Sequence, residues 1–265
     1  MKPGKVVAVV ILWHNETVID QMTAQLKGTQ YPDFDWVFVD NSRQNRGFAE
    51  GLNEGFREAE RRQAEFVLAL SPGLLFPEHL VTTLVEAIRL DDRLGAVSAR
   101  RTHLPERAKE PLYCRTKEGL VPTYWGGCAL MRVQMWKEIG GLDPLLTNGE
   151  DEADTTIRAS KLGWRFGSMA SVWVDKPITR ASRDDRAQSR CRGMWYFQFK
   201  HYYLGNYALT QFLDVFVRTI KNEFQHDWDV GWAYEVTAAF TSWKLARRVW
   251  NPSTARFVRP SVDSQ

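Results

Sequence analysis

Val6-Val7-Ala8-Val9-Val10-Ile11-Leu12 is the stretch that decides the fold. It is an apolar, largely β-branched run with no polar alternation, the pattern of a strand covered on both faces, as in a parallel sheet. It passes straight into Trp13-His14-Asn15-Glu16 with no small-residue cleavage site, so it reads as a buried strand and not as a secretory signal. Working outward, the pattern repeats. A helix is expected from about Glu16 to Leu26, a second strand at Trp36–Val39 ending in Asp40-Asn41-Ser42, and a helix from about Ala49 to Arg62. A third strand follows at Phe66–Leu70, closed by Ser71-Pro72-Gly73, then a helix from about Glu78 to Leu90 and a fourth strand at Ala96–Ala99. Strand–helix repeats of this length imply right-handed crossovers and a parallel sheet. Ligands bind such sheets at the carboxyl ends of the strands. That singles out His14, Asn15, Glu16, Asp40, Asn41 and Ser71.

Further along, Arg100–Val121 lacks periodicity and reads as a loop. Tyr124–Met131 returns to a strand through Gly126-Gly127, Gly140–Asp143 is a turn, and Asp151–Leu162 a helix stopped by Gly163. Ser171–Val174 is a last strand and Arg180–Arg192 a basic loop. Two amphipathic stripes follow. One is Leu209, Phe212, Leu213, Phe216 and Ile220; the other is Trp232, Val236, Ala239, Phe240, Trp243 and Trp250. Such faces pack on a neighbouring domain or lie on a membrane surface. The expected division is an α/β catalytic domain over 1–178 and a basic loop with a helical C-terminal extension over 179–265.

Charge supports that division. Residues 176–265 carry 14 basic and 8 acidic side chains, a net of +6, whereas 1–175 is net −3. A basic extension suits an anionic partner: lipid phosphate, a membrane surface or nucleic acid. The 11 Trp supply flat area for packing or for stacking sugars and bases. Three cysteines without metal-ligand spacing argue against a disulfide framework and for a reducing compartment, so the expected location is cytoplasmic, with peripheral membrane contact open. No GxGxxG follows the first strand and no GxxxxGK[ST] occurs, which argues against a dinucleotide dehydrogenase and a P-loop enzyme.

Six motifs occur in a fixed order. They are Val10–Glu16; Asp40-Asn41-Ser42; Asn45-Arg46-Gly47-Phe48-Ala49-Glu50-Gly51-Leu52-Asn53-Glu54-Gly55; Leu70-Ser71-Pro72-Gly73; Gly126–Arg132 leading to Ile139–Asp143; and Asp151-Glu152-Ala153-Asp154 with Arg158 and Gly163. Together they resemble the family 2 glycosyltransferases of the GT-A fold, a Rossmann-like, mostly parallel sheet flanked by helices, and in particular the rhamnosyltransferase-like branch. The resemblance covers about residues 5 to 175. It implies inverting transfer of a hexose or deoxyhexose from a UDP-, dTDP- or GDP-sugar to an acceptor hydroxyl on a glycan, a lipid-linked glycan or, as a lesser alternative, a modified nucleic acid. A relative that binds sugar nucleotide or glycan without turnover is a further alternative.

The resemblance also implies roles. Asp40 reads the base, with Trp13 or His14 framing it; Asn15, Glu16, Asn41, Asn45, Gly47, Asn53, Ser71 and Gly127 belong to the nucleotide-sugar site. Gly47 opens a helix whose N-terminus suits a phosphate, while Gly51 and Gly55 read as packing positions. An inverting transfer needs one general base, and two alignments place it differently. Matching Arg158 and Gly163 selects Glu152, the preferred reading; matching Glu150-Asp151 literally selects Asp151. Two family positions are altered. An expected aspartate is Gly73, and the histidine expected after the last strand is replaced by Val174-Asp175-Lys176. The Mg²⁺ or Mn²⁺ site of the family is thereby weakened. Asp175 remains as a ligand, with Asp151 or Asp154 as further candidates, and Lys176, Arg180, Arg183 and Arg186 offer fixed positive charge.

Overall fold

The computed structural model describes residues 3–14, 16–44, 46–101, 112–116, 119–146, 149–175, 192–197, 199–203, 232–251 and 256–257. The chain divides into two compact units, one of Met1–Pro144 with Glu152–Ile178, the other of Leu145–Asp151 with Thr179–Gln265.

In the first unit β1 (Val6–Leu12) is followed by a 3-10 turn (Glu16–Val18), α1 (Ile19–Lys27), β2 (Phe34–Asp40), α2 (Gly47–Arg61), β3 (Phe66–Leu70), α3 (Leu80–Ile88) and β4 (Leu94–Arg101). A hairpin of β5 (Tyr113–Thr116) and β6 (Gly119–Pro122) precedes β7 (Cys128–Arg132), α4 (Val133–Glu138), α5 (Asp151–Ser160) and β8 (Arg165–Val174). The sheet order is β2-β1-β3-β7-β4-β8.

Every residue of β1 is buried, as its unbroken apolar run requires. Successive side chains of a strand point to opposite faces. Accordingly Val6, Ala8, Val10 and Leu12 join the core under α1 and α3, while Val7, Val9 and Ile11 join the core under α2, α4 and α5. The result is a three-layer α/β/α unit. Helix α2 lies close on β1 because it presents glycines there. A Cβ on Gly55 would fall 2.3 Å from Val9 Cγ1, and one on Gly51 3.0 Å from Ile11 Cγ2 and from the Asn41 amide nitrogen. Both glycines are packing positions, as read from the sequence.

Two features depart from the expected topology. The repeats implied parallel pairing, and β1 does pair parallel with β2 and β3, and β4 with β8; but β7 runs antiparallel between β3 and β4. A strand entered through a glycine turn and left through a short helix carries no crossover, so nothing forces it parallel. The stretch expected as a loop over Arg100–Val121 contains the end of β4 and the β5–β6 hairpin, in which Cys114 pairs with Val121. Tyr113 and Leu120 are exposed, so the hairpin lacks an alternating pattern by which to recognise it.

Within the second unit, α6 (Trp232–Val249) leads to a short β9–β10 pair (Trp250–Asn251, Arg256–Phe257), and α6 packs on a π-helical segment, Phe199–Tyr203. Among its described side chains Ala238, Ala239, Ser242 and Ala246 are buried; of the stripe expected from the sequence Ala239 is buried, Trp243 half-buried and Phe240 47% exposed, and the side chains of Trp232, Val236 and Trp250 lie outside the described residues. Small residues let α6 approach the π-helical segment, in which Phe199 is buried. The other expected stripe, Leu209–Ile220, lies outside the described residues. No described helix is long and apolar enough to cross a membrane.

Candidate active site

The sheet gathers the motifs at one edge. In the β1–β2 register Leu12 stands opposite Asp40, and Asn41 N–H donates to the Leu12 carbonyl at 2.9 Å. β1 then turns sharply, with His14 at φ 51, a left-handed conformation that histidine tolerates better than most residues. His14 N–H donates to Ser42 Oγ at 3.1 Å, and the Trp13 and His14 rings lie 5.6 Å apart and tilted. The two strand ends thus form one platform. Asp40 is exposed on it. One carboxylate oxygen accepts the Ser42 N–H at 2.7 Å, the turn-capping bond that aspartate makes in such bends. That bond, reinforced by the Ser42 hydroxyl, Arg43 and His14, holds the Asp40 carboxyl below its ordinary value of 3.8. Asp40 therefore caps its turn and presents an ionised group on the edge. Asn41 is buried; its amide nitrogen donates to the Gly47 carbonyl at 3.0 Å, while its amide oxygen has no partner among the described residues. Gly47 opens α2 at φ 79.

The antiparallel direction of β7 matters here. Its start lies beside the end of β3, with Cys128 opposite Leu70. Ser71 N–H donates to the Gly127 carbonyl at 2.8 Å, which joins the fourth and fifth motifs. On the other side of the same turn, Gly126 N–H donates to Glu152 Oε1 at 3.1 Å. A side chain at either glycine would displace its neighbour: a Cβ on Gly126 would stand 2.7 Å from Glu152 Oε1, and one on Gly127 2.1 Å from Trp125 Cζ2. Glu152, half-buried at the start of α5, is held by one oxygen, and Oε2 has no hydrogen-bond partner among the described residues. Asp151, the other candidate base, is buried at 6% exposure.

The fourth motif is rebuilt. Ser71-Pro72-Gly73-Leu74 closes with a Leu74 N–H to Ser71 carbonyl bond of 3.3 Å, and Gly73 has φ 72. Proline then glycine in these positions is a type II turn, which needs a positive φ at its third residue. Space is available at Gly73, since a Cβ would meet only Val18 Cγ1 at 3.6 Å; the backbone, not crowding, disfavours a side chain. Two residues on, Leu75 and Asp175 exchange backbone hydrogen bonds of 2.8 Å each way. The half-buried Asp175 is thereby tied to the loop whose aspartate is missing. Among the described residues no three His, Cys, Asp or Glu side chains cluster closely enough to hold a metal ion. A lone carboxylate such as that of Asp175 suits Mg²⁺ or Mn²⁺ chemically where a diphosphate supplies further oxygens.

Two residues expected here serve the scaffold. Asn53 is buried. Its oxygen accepts from Trp136 Nε1 and Leu142 N–H, both at 2.8 Å, and its amide nitrogen donates to the Leu142 carbonyl at 2.8 Å. A carboxamide so fully engaged ties α2 to the Gly140–Leu142 turn and has little capacity left for a nucleotide. Asp154 is likewise no free metal ligand, because its carboxylate is fully buried against Arg158 Nε at 2.7 Å. Asn15, Asn45, Lys176, Arg180, Arg183 and Arg186 lie outside the described residues, and Glu16 is described in its backbone alone. Sequence reasoning missed Trp125 and the Leu75–Asp175 bridge. A tryptophan next to a glycine pair was the available signal for the first; the second depends on strand order and had none.

Solved structures share this architecture. The chain aligns with the mannosyltransferase PcManGT of Pyrobaculum calidifontis, solved in complex with GDP-Man and Mn2+, at a TM-score of 0.60 and 16% identity, over 96% of this chain and 78% of that one. The fold is that of the GT-A glycosyltransferases. S. aureus TarS 1-349, solved in complex with UDP, aligns at a TM-score of 0.50 and 12% identity, over 92% and 91% of the two chains. GalNAc-T7, solved with UDP, GalNAc and Mn2+, aligns at 0.52 and 11% over 75% of this chain and 50% of that one. No protein-family model matches the chain, and no curated protein matches it by sequence.

Proposed function

We propose that this protein is an inverting, nucleotide-sugar-dependent glycosyltransferase with Glu152 as its general base. The observation that carries the reading is the continuous link Ser71–Gly127–Gly126–Glu152, which ties one carboxylate oxygen to the carboxyl edge of the sheet and leaves the other without a hydrogen-bond partner among the described residues. The GT-A fold and the ordered motifs support the same conclusion. In the reaction the acceptor hydroxyl gives its proton to Glu152 Oε2 while its oxygen bonds to C1 of the donor sugar from the face opposite the diphosphate. The C1–oxygen bond to the diphosphate breaks, and its electron pair leaves with the phosphate. Glu152 is preferred to Asp151 because Asp151 is buried while Glu152 is half-buried and aimed by Gly126. Asp40 accepts an N–H from the base, and Trp13 and His14 border it. The Glu152→Gln substitution tests this assignment.

Asp40→Ala is expected to weaken both the free nucleoside diphosphate and the sugar nucleotide about tenfold, the scale of one lost charge-assisted hydrogen bond. Because the folded-state pKa of Asp40 is depressed, its contribution is present above the ordinary carboxylate value of 3.8 and is lost only as pH falls through the lower folded value. Calorimetry should therefore show affinity flat from pH 7 down to about 5 in this respect. Equal affinity for the alanine variant would remove Asp40 from the site.

Leaving-group charge needs stabilising. A divalent ion, when bound with the diphosphate at Asp175, supplies part of that stabilisation, and the basic segment Lys176–Arg186 supplies the rest. Activity in excess EDTA is expected to fall without vanishing, and to vanish when Arg183→Ala or Arg186→Ala is added. Gly73→Asp is not expected to tighten Mn²⁺ binding, because its φ of 72 strains any L side chain. Complete metal dependence with both arginines dispensable would contradict the division of charge.

A further inference from the structure

The sheet ends at β2, and among the described residues no strand lies beyond it. An edge strand of seven residues, rich in aromatic and β-branched side chains, is a ready template for another strand. The contacts at its two ends fix which way its backbone groups point. Val6 N–H donates to the Asp33 carbonyl and Asn41 N–H to the Leu12 carbonyl, both at 2.9 Å, so the odd-numbered residues face β1. The N–H and C=O groups of Phe34, Trp36 and Phe38 therefore face outward. At the centre of that row, side chains engage both groups of Trp36. Its N–H donates to Oδ1 of the preceding Asp35 at 2.8 Å, and its carbonyl accepts a longer bond from Arg62 Nη1 at 3.4 Å. The same Nη1 donates to Asp35 Oδ2 at 2.5 Å, and Arg62 Nε donates to Glu58 Oε1 at 2.7 Å. The Arg62 guanidinium, at the C-terminal end of α2, is thus aimed by Glu58 on the same helix and laid over the strand edge.

We propose that Asp35 and Arg62 form a guard over the β2 edge, and that what they exclude is the same edge of a second copy of this chain. Two β2 strands set antiparallel about a two-fold axis at Trp36 bring Trp36 opposite Trp36, Phe34 opposite Phe38 and Asp35 opposite Val37. Aromatic residues then meet aromatic residues, and no two carboxylates stand directly opposite. Nothing in the side chains of the row itself opposes that register. It requires the two Trp36 residues to exchange N–H and C=O bonds, and these are the groups that Asp35 and Arg62 occupy. The ion pair is open to water, with side chains 42% and 30% exposed, so its own contribution to folding is small and its effect lies in blocking the edge. Pairing would also have to strip water from both charges. The inference concerns association and is independent of the transfer reaction.

Sedimentation velocity of the full chain across a concentration series tests it. Wild type is expected to sediment alike at every concentration. Asp35→Ala and Arg62→Ala are each expected to self-associate with a constant at least about tenfold above that of wild type, the factor that about one net hydrogen bond supplies. Adding Phe34→Lys to Asp35→Ala returns a charge to the edge and should restore wild-type behaviour. Hydrogen exchange locates the contact: in the associated variants the Phe34, Trp36 and Phe38 amides should exchange more slowly than in the same variants diluted to monomer. Arg62→Ala leaves β2 itself untouched and carries the test if Asp35→Ala does not fold. The proposal is overturned if the variants sediment as wild type does, if they associate without slowing those amides, or if wild type already associates as tightly as they do.

Discussion

Glu152→Gln is expected to lower the transfer rate by about 10² to 10⁴, the usual worth of a general base, while leaving nucleotide affinity unchanged. Glutamine keeps the length of the side chain, and its carbonyl oxygen can still accept the Gly126 N–H that glutamate accepts at 3.1 Å. Geometry is therefore retained, and what disappears is the capacity to take a proton. An acceptor hydroxyl is a poor nucleophile without such help, so the loss should fall on kcat more than on the donor KM. Single-turnover transfer beside calorimetric binding of the nucleoside diphosphate separates the two. A near wild-type rate for Glu152→Gln together with a dead Asp151→Asn would move the base one residue back.

The second large effect concerns stability. Asp154→Ala should cost about 3–5 kcal/mol, because it leaves the Arg158 guanidinium buried without its carboxylate. Both side chains are 0% exposed, Arg158 Nε lies 2.7 Å from Asp154, and Arg158 Nη1 donates to the Ile139 carbonyl at 2.8 Å. The pair locks α5, the helix that begins with Asp151 and Glu152, to the end of α4. A loss of that size is a large share of the roughly 5–15 kcal/mol that holds a typical domain together. Replacing both partners with apolar residues of similar volume should cost much less than replacing either alone, since no charge is then stranded. Denaturant unfolding of the single and double variants measures this, and a single variant within about 1 kcal/mol of wild type would show that the pair is dispensable.

Much of the architecture was legible because burial on two faces writes itself into β1 as an unbroken apolar run, and the helix–strand repeats after it leave few topologies. The antiparallel β7 was not legible: Cys128–Arg132 looks the same in either direction, and its pairing is set by residues remote in sequence. That same reversal brings Gly126 and Gly127 to Ser71 and so creates the candidate site. Asn53 shows the opposite limit. Its place in a motif marked it for the nucleotide, yet the groups that engage it, Trp136 and Leu142, lie 83 and 89 residues away. Asp154 and Arg158 were legible as an i,i+4 pair, but their complete burial was not.

The central claim, that a nucleotide sugar binds the edge built by Asp40, Ser71, Gly127 and Glu152, is tested most directly by thermal melting of the full chain against UDP, dTDP, GDP and their sugars with Mg²⁺ or Mn²⁺. A ligand at about a hundred times its Kd stabilises by about 2.7 kcal/mol, several degrees for a chain of this size. The account predicts that at least one nucleotide series raises the melting temperature in this way, and that Asp40→Ala reduces the shift. No shift with any of them, or a shift that Asp40→Ala leaves intact, would contradict it.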